Sequence, residues 1–233
     1  MPFEQGQIIN ERYRIAHLIT QSVHGAVYRV WDLQNQSPCA LKEHLSASAE
    51  EHELFRNEAA RLLGLNHPNL AKVFDFFSIP GQADYLVMEF VEGEDLQTAQ
   101  EQSRQSGIAR LPEAQVLTWL LQVSEALSYM HLQTPPFLHG DVKPANIRIN
   151  PRGEAVLVDL GFRHLTRPPA RAAASREITT GYSAPEQYGA GVLDARSDVY
   201  AMGATLYTLV TGVTPPDSVD LMTGGASLTP ARQ

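Results

Sequence analysis

Residues 139–146 read H-G-D-V-K-P-A-N, and this stretch decides how the rest of the chain is interpreted. It follows the apolar pair 137–138 and leads directly into a second apolar stretch. Asp141, Lys143 and Asn146 therefore lie on a loop between segments that are predicted to be buried. Burying a charged or amide side chain is costly unless it has a partner, so we expect these three side chains to have specific partners.

A second polar residue follows the next apolar stretch along the chain. Asp159 comes directly after residues 155–158, which read A-V-L-V and predict a short buried strand. A carboxylate and an amide oxygen emerging from the same interior are hard ligands suited to Mg²⁺, with positions left open for phosphate oxygens. The sequence therefore predicts a site for a metal ion and a phosphate group around Asn146 and Asp159.

Hydrophobic periodicity predicts an α+β fold on either side of these segments. Upstream it predicts five strands, at 13–19, 26–31, 39–42, 72–79 and 85–90. It also predicts one helix, at 50–63, between the third and fourth strands. Downstream the pattern is mainly helical, with an amphipathic helix from Pro112 to Met130 and two short strands at 147–149 and 155–158. A last helix, capped by Ser197 and running through Val210, is apolar almost all round and is predicted to be fully buried.

Composition excludes several classes of function. The 233 residues carry a formal net charge of −8, which disfavours nucleic acid or an anionic membrane surface as the main partner. The single cysteine, Cys39, offers neither an internal disulfide nor a cysteine-rich metal site. No apolar run reaches the ~18 residues that a membrane span needs, so a soluble, cytoplasmic protein is expected.

Five motifs in order resemble the eukaryotic-type protein kinases, specifically the bacterial serine/threonine kinases. They are Lys42 in C-A-L-K, Glu58 in the first helix, H-G-D-V-K-P-A-N, D-L-G at 159–161 and S-A-P-E at 183–186. The resemblance covers about residues 10 to 212 and implies a bilobal fold with a nucleotide cleft. A five-stranded antiparallel lobe with one helix would span 10–91, a mainly helical lobe 92–212, and a poorly ordered tail 213–233.

The resemblance also implies roles for the polar residues of H-G-D-V-K-P-A-N and D-L-G. Asp141 would accept the proton of the attacking hydroxyl, and Lys143 would stabilise charge on the transferring phosphoryl group. Asn146 and Asp159 would hold the metal, Mg²⁺ with Mn²⁺ as the alternative, together with ATP as co-substrate. The D-x-K-P-x-N form resembles serine/threonine rather than tyrosine kinases, so the expected partner is a protein with a Ser or Thr acceptor.

By the same resemblance the first lobe would bind the nucleotide. Lys42, paired with Glu58, would hold the α- and β-phosphates. The other implied nucleotide-binding residues are Gly25 and Ser22 in the phosphate loop, Val27 and Ala40 around the adenine, and Glu89 and Val91 at the hinge. In the second lobe, Thr179 would contact both Asp141 and Lys143, Glu186 belongs to the substrate-docking segment, and Asp198 would tie the last helix to the backbone of the catalytic loop.

Three departures from the family pattern bear on activity. The phosphate loop at 20–27 reads T-Q-S-V-H-G-A-V and lacks two of the three usual glycines. Gly140 replaces an arginine that in many members receives the phosphate of a phosphorylated activation segment. Downstream, only Arg196 and Arg232 could pair with Glu186, and the chain is several helices shorter than the fold, so apolar area near Leu206, Tyr207 and Val210 is expected to be exposed.

These departures keep two other functions open besides an active protein kinase. A pseudokinase, or nucleotide-binding scaffold with little phosphotransfer, is favoured by the altered loop and the shorter second lobe. A small-molecule kinase of the same fold is disfavoured because S-A-P-E and the preceding Thr179 suit a segment that docks a peptide.

Overall fold

The computed structural model divides the chain into two compact units, which are described separately. It describes residues 2–23, 25–45, 48–107, 110–160, 178–189 and 191–230. The first unit comprises Met1–Asn66 and Ala71–Phe90, and the second comprises His67–Leu70 and Val91–Gln233. The change of unit after Phe90 lies within the stretch predicted as a hinge.

An antiparallel sheet forms most of the first unit. Its strands, in the spatial order β1-β2-β3-β4-β6-β5, are β1 (Ile8–Ile9), β2 (Tyr13–Ser22), β3 (Gly25–Asp32), β4 (Ser37–His44), β5 (Val73–Ile79) and β6 (Ala83–Glu89). The five strands predicted from periodicity are all present. The sixth, β1, has two residues and pairs with Tyr13 and Arg14, which is too short to produce a periodic pattern.

Alternate residues of these strands form the core of the first unit on one face of the sheet. The largest fully buried side chains of this face are Tyr13, Ile15, Tyr28, Leu41 and Tyr85. The rings of Tyr13 and Phe77 stack at 5.7 Å between centroids. The period of two places the neighbours of these residues on the opposite face, so the sheet has a second surface that can serve another role.

Helix α1 (Ala49–Leu62) begins at Ser48, whose side chain accepts a hydrogen bond from Glu51 N–H. The first helical residue is one position from the predicted one. The helix buries Phe55, Ala59 and Leu62, and Glu58 lies on the same buried side. Glu58 is therefore an inward-facing carboxylate, which needs a partner.

The second unit contains a small three-stranded sheet and four α-helices among its described residues. They are β7 (Glu94–Asp95), β8 (Ile147–Ile149), β9 (Ala155–Leu157), α2 (Leu96–Gln105), α3 (Glu113–His131), α4 (Ala195–Thr211) and α5 (Ser218–Thr223), with short 3-10 turns at Pro144–Asn146 and Pro185–Gln187. Residues 67–70 join this unit because Asn69 Nδ2 donates to Ala155 O at 2.8 Å and Asn69 O accepts from Leu157 N–H at 2.9 Å.

Two details of α4 correct the sequence-based prediction. The helix is capped by Asp194, whose side chain accepts from Arg196 N–H at 2.9 Å, and not by Ser197, which is buried in its first turn. The helix is also not fully buried, since Val199 is 65% exposed. When a helix is apolar on all sides, its sequence does not show which side is buried. In the structure, the side that carries Asp198 and Leu209 faces the interior.

The segment after α4 has defined structure as far as residue 230, contrary to the predicted loose tail. It contains α5, and the Asp217 carboxylate accepts from Gly181 N–H and from Tyr188 Oη, both at 2.8 Å. The hydroxyl of Tyr207 bonds to the backbone of Thr229. Leu206, Tyr207 and Val210, which were expected to be exposed, are instead half-buried.

Two expectations from composition can be compared with the described residues. Cys39 is free and buried in the first unit. Among the helices of the described segments, none combines the length and the apolar character that crossing a bilayer requires.

Gly25 provides a test of how closely β3 approaches β4. Its φ is +147°, and a Cβ atom there would lie 2.1 Å from the Glu43 carbonyl oxygen. We expect Gly25→Ala to lower the free energy of unfolding by about 3 kcal/mol, from backbone strain and steric overlap together. The matched control is Gly81→Ala, where φ is +75° but no atom lies within 4 Å, so that only about 1 kcal/mol is lost. Equal losses in urea unfolding would contradict the close approach.

Candidate active site

Strand register places three of the predicted nucleotide-binding residues on one face of the first sheet. Val27 is opposite Lys42 in the β3–β4 pair, and Ala40 lies two residues before Lys42. Directly opposed residues, and residues two apart, point to the same side of a sheet. Val27, Ala40 and Lys42 therefore share the face opposite the buried core, which offers an apolar surface beside a cationic side chain.

The β2–β3 hairpin forms the end of this face. Ser22 is opposite Gly25, and its hydroxyl donates to the Gly25 carbonyl at 3.4 Å. Thr20, which stands where the family pattern has glycine, is opposite Val27, directly after a register shift between Leu18 and Thr20. His24 lies outside the described residues. Without the two missing glycines, β2 and β3 thus still pair as far as Ser22 and Gly25, with a register shift at Thr20.

Glu58 has a partner that the sequence analysis did not identify. Its carboxylate accepts from Arg61 Nη1 at 2.9 Å, one helical turn further along α1. Burial raises the pKa of Glu58, and the charge of Arg61 offsets part of that effect. The pair of Lys42 with Glu58 stays a prediction. An arginine three residues after the glutamate is the signal in the sequence that could have revealed this contact.

The two hinge residues have backbone contacts within their own units. Glu89 N–H donates to Lys72 O at 2.8 Å, so a nucleotide contact through the backbone of Glu89 would use its carbonyl. Within the second unit, Val91 O accepts from Arg148 Nε at 2.8 Å. Their assignment to nucleotide binding remains a prediction.

Residues 139–146, which the resemblance predicts to be a catalytic loop, bring Asp141, Lys143 and Asn146 together. The short helical turn Pro144–Asn146 folds back so that Asn146 Nδ2 donates to the backbone carbonyl of Asp141 at 2.8 Å and to its Oδ2 at 3.0 Å. Lys143 Nζ lies 2.8 Å from Asp141 Oδ2. Each of the three polar side chains therefore has the partner that burial demands.

Thr179 completes this group from a different part of the chain. Its hydroxyl donates to Asp141 Oδ1 at 2.7 Å and lies 3.4 Å from Lys143 Nζ. Thr179 N–H in turn donates to the Ser183 hydroxyl at 2.9 Å. The predicted contacts of Thr179 with both residues are present, and both carboxylate oxygens of Asp141 are held by donors. Residues 163–176, which include four arginines, lie outside the described residues.

His139 is buried at the start of the loop and has one possible neutral tautomer. Its Nδ1 accepts from Asp141 N–H at 3.3 Å, so the proton must be on Nε2, which donates to Val158 O at 3.0 Å. The ring therefore links the backbone of Asp141 to the residue that precedes Asp159. The sequence analysis did not assign a role to His139.

Asp198 on α4 fixes the backbone of the same loop. This fully buried carboxylate accepts from His139 N–H at 2.9 Å, from Gly140 N–H at 2.6 Å and from His131 Nε2 at 2.8 Å. Burial alone would raise the pKa of Asp198, but these donors together outweigh it and lower the pKa below its ordinary value. His131, at the end of α3, is a further residue that the sequence analysis missed.

The predicted metal ligands emerge at one end of the β8–β9 pair. Asn146 precedes β8, and its carbonyl accepts from Val158 N–H at 2.9 Å, which brings Asp159 beside it. The Asn146 amide nitrogen is engaged with Asp141, so the amide oxygen points away from that contact. Asp159 has φ of +61°, an uncommon conformation for a residue other than glycine and one that often marks functional sites.

The oxygen atoms of Asn146 and Asp159 suit Mg²⁺. They do not suit a metal ion that is bound only by protein side chains. One carboxylate and one amide oxygen leave most of an octahedral shell to water and phosphate oxygens, which is how Mg²⁺ is usually bound with nucleotides. Among the described residues no group of three His, Cys, Asp or Glu side chains could hold a metal ion. The residues therefore suit a metal that arrives with a phosphate ligand.

Glu186 contacts α4 through Ser197. The Ser197 hydroxyl donates to Glu186 Oε1 at 2.5 Å. Arg196 makes a two-pronged ion pair with Asp194, while Arg232 lies outside the described residues. A hydroxyl thus contacts Glu186 where the family pattern has an arginine, and Gln187 beside it is buried between the loop and this segment.

Asp198→Asn provides a test of the buried carboxylate. The amide nitrogen would face a backbone N–H donor, so we expect a loss of about 3 kcal/mol in the free energy of unfolding near neutral pH. Because the pKa of Asp198 is lowered in the folded state, its stabilisation is present above about pH 4 and is lost as the pH falls through the folded pKa.

The control is Asp194→Asn at the exposed cap of the same helix. Asparagine caps a helix as well as aspartate does, so this variant should keep the stability of the wild type. Urea unfolding between pH 3 and pH 7 measures both effects. Equal stability of the two variants at pH 7 would contradict the role given to Asp198.

Comparisons with known proteins show the family. The protein kinase domain family model matches residues 13–223. The chain is 35% identical over 225 residues to the serine/threonine-protein kinase pkn3 of Myxococcus xanthus, covering 91% of this chain and 40% of that protein. It is 33% identical over 218 residues to PknA of Mycobacterium tuberculosis, covering 90% of this chain and 49% of PknA. The chain thus spans about half the length or less of these two relatives.

Solved structures show the same likeness. The kinase domain of Mycobacterium tuberculosis PknI superimposes with a TM-score of 0.74 at 27% identity, covering 99% of this chain and 83% of that chain. A second crystal structure, of a single-site variant of the same domain, gives a TM-score of 0.74 at 28% identity, with 94% of this chain and 81% of that chain covered. With the α+β fold and kinase motifs described above, the chain belongs to the protein kinase family, among the bacterial serine/threonine kinases of eukaryotic type.

Proposed function

We propose that this protein transfers the γ-phosphoryl group of ATP to a serine or threonine hydroxyl of a protein substrate. The observation that carries the proposal is the contact of Asp141 with Lys143, Asn146 and Thr179. A carboxylate held by three donors is fixed in orientation, which is what a positioned base requires. The likeness to kinases of this class supports the substrate type.

Asp141 accepts the proton of the substrate hydroxyl as that oxygen attacks phosphorus. Its carboxylate oxygens contact Thr179 Oγ1 and Lys143 Nζ, so that the carboxylate is oriented before the substrate arrives. Lys143 is 20% exposed and carries a cation beside the reacting group, where it stabilises charge that develops on the phosphoryl oxygens.

The first unit supplies the nucleotide-binding groups. Val27 and Ala40 present an apolar surface to the adenine, and Lys42 on the same sheet face binds phosphate oxygens. Gly25 and Ser22 at the hairpin end provide a backbone and a hydroxyl for the phosphates, and the Glu89 carbonyl serves the adenine edge.

The second unit supplies the remaining ligands. The backbone of Val91 serves the adenine edge. Asn146 and Asp159 hold Mg²⁺, which supplies charge neutralisation of the phosphates when bound.

A pseudokinase is the second candidate function, and two observations favour it. Thr20 and Ser22 replace glycines in the phosphate loop, and Glu58 is paired with Arg61, which competes for the carboxylate that Lys42 is proposed to use. In this alternative the protein binds nucleotide, or a partner protein, without appreciable transfer.

Thermal unfolding with ATP and Mg²⁺, followed by an activity assay, distinguishes the two functions. Nucleotide at ~100 times its Kd adds about 2.7 kcal/mol of stability, which corresponds to a shift of roughly 5–10 °C in Tm. Asp141→Asn should keep this shift and lower kcat by about 10²- to 10³-fold, because it removes the base and leaves the nucleotide-binding residues intact.

The readout is transfer of labelled phosphate to a protein with serine and threonine acceptors. Transfer by the wild type that Asp141→Asn does not reduce would contradict the base. A Tm shift with no transfer by the wild type would favour the pseudokinase.

We further predict that activity does not require phosphorylation of the activation segment. Gly140 has no side chain that could pair with a phosphate on Ser175, Thr179 or Thr180, so phosphorylation there lacks its usual charge partner. Wild-type protein treated with phosphatase, with complete dephosphorylation verified by mass spectrometry, should keep its kcat within about twofold of the untreated protein. Complete loss of activity on dephosphorylation would contradict this prediction.

A further inference from the structure

Gln187 is a buried amide that connects two segments of the second unit. It lies in the 3-10 turn after Ala184 and is 3% exposed. Its Oε1 accepts from Ala184 N–H at 2.7 Å, and its Nε2 donates to the Gly140 carbonyl at 3.1 Å. One side chain therefore satisfies a donor of residues 179–187, called the docking segment, and an acceptor of the catalytic loop. It must accept one hydrogen bond and donate another to do so.

The carbonyl that Gln187 contacts belongs to the peptide group that leads into Asp141. Because a peptide group is planar, the Gly140 carbonyl and the Asp141 N–H move as one body. That N–H donates to His139 Nδ1, and the preceding N–H of Gly140 donates to Asp198. Gln187 thus fixes the acceptor side of a peptide plane whose donor side is held by His139.

Gly140 makes this third contact important. Its φ is +72°, in a region that glycine enters at little cost and in which it also keeps its conformational freedom. The hydrogen bond to Asp198 fixes the N–H of Gly140, which belongs to the peptide plane between His139 and Gly140. Rotation about the two backbone bonds of Gly140 would still turn the next peptide plane, between Gly140 and Asp141. The bond from Gln187 restricts that rotation and with it the direction in which the Asp141 side chain leaves the backbone.

We propose that Gln187 is a positioning residue that orients Asp141 through the Gly140 carbonyl and thereby couples the catalytic loop to the docking segment at Ala184. The inference rests on the proposed role of Asp141 as the base. The coupling uses a neutral amide and needs no phosphate, so it operates in the unphosphorylated protein. The Gln187 contact therefore connects the catalytic loop to the docking segment in a chain that has glycine at position 140. This connection does not depend on an arginine.

Gln187→Glu tests the proposal because it keeps the length of the side chain and the acceptor for Ala184 but removes the donor to Gly140. We expect kcat to fall at least tenfold while KM for ATP stays within twofold. Gln187→Met, which introduces no buried charge, should give the same loss of kcat if the glutamate variant folds poorly.

The matched control is Gln100→Glu, which makes the same chemical change elsewhere in the unit. Gln100 is 7% exposed, and its Nε2 donates to Thr208 O at 2.8 Å. We expect this variant to lose stability in the same way and to keep its kcat. An equal loss of kcat in both glutamine variants would overturn the proposal, because it would show a general effect of a buried glutamate.

A double-mutant cycle separates positioning from a structural effect. If Gln187 acts through Asp141, Gln187→Met should lower the residual single-turnover rate by less than twofold in the Asp141→Asn background. The same tenfold loss in both backgrounds, or an unchanged kcat in the single variant, would overturn the positioning role. If Asp141→Asn itself leaves kcat unchanged, the assignment of the base is wrong, which is a separate result from failure of the Gln187 contact.

Discussion

The buried carboxylate of Asp198 is the constraint on which the second unit depends. A charge without access to water must be surrounded by donors, and here the donors are His131 and the backbone N–H groups of His139 and Gly140. Helix α4 carries the acid in its first turn, so the position of the catalytic loop is set by where that helix begins. The lowered pKa of Asp198 shows that the donors more than compensate for its burial.

From this contact the polar groups form one connected network. His139 extends it to Val158 and to the Asp141 backbone, and Asn146 links Asp141 to the start of β8. Thr179 reaches Asp141 from the docking segment. Because each group satisfies its neighbour, a network of this kind is stable only when complete, and its members are best studied by paired substitutions.

The two units differ in how fully the family pattern is realised. In the second unit the contacts of Asp141 are made by residues of the expected type, while Gly140 and Gln187 form a connection that lacks the usual arginine. In the first unit the strands that flank the altered phosphate loop still pair as far as Ser22 and Gly25, and Glu58 is held by Arg61. The departures that bear on nucleotide binding therefore lie in the first unit, and those that bear on control of the catalytic loop lie in the second.

The sequence by itself determined the class of fold and the family to which the chain belongs. Periodicity located the strands of the first sheet to within a few residues, because burial on one face imposes a period of two wherever a strand forms. It could not determine that His131 contacts Asp198, or that Gln187 bonds to Gly140, 47 residues earlier in the chain. Such contacts depend on which side chains packing brings within about 3 Å of each other, and only the tertiary structure decides that.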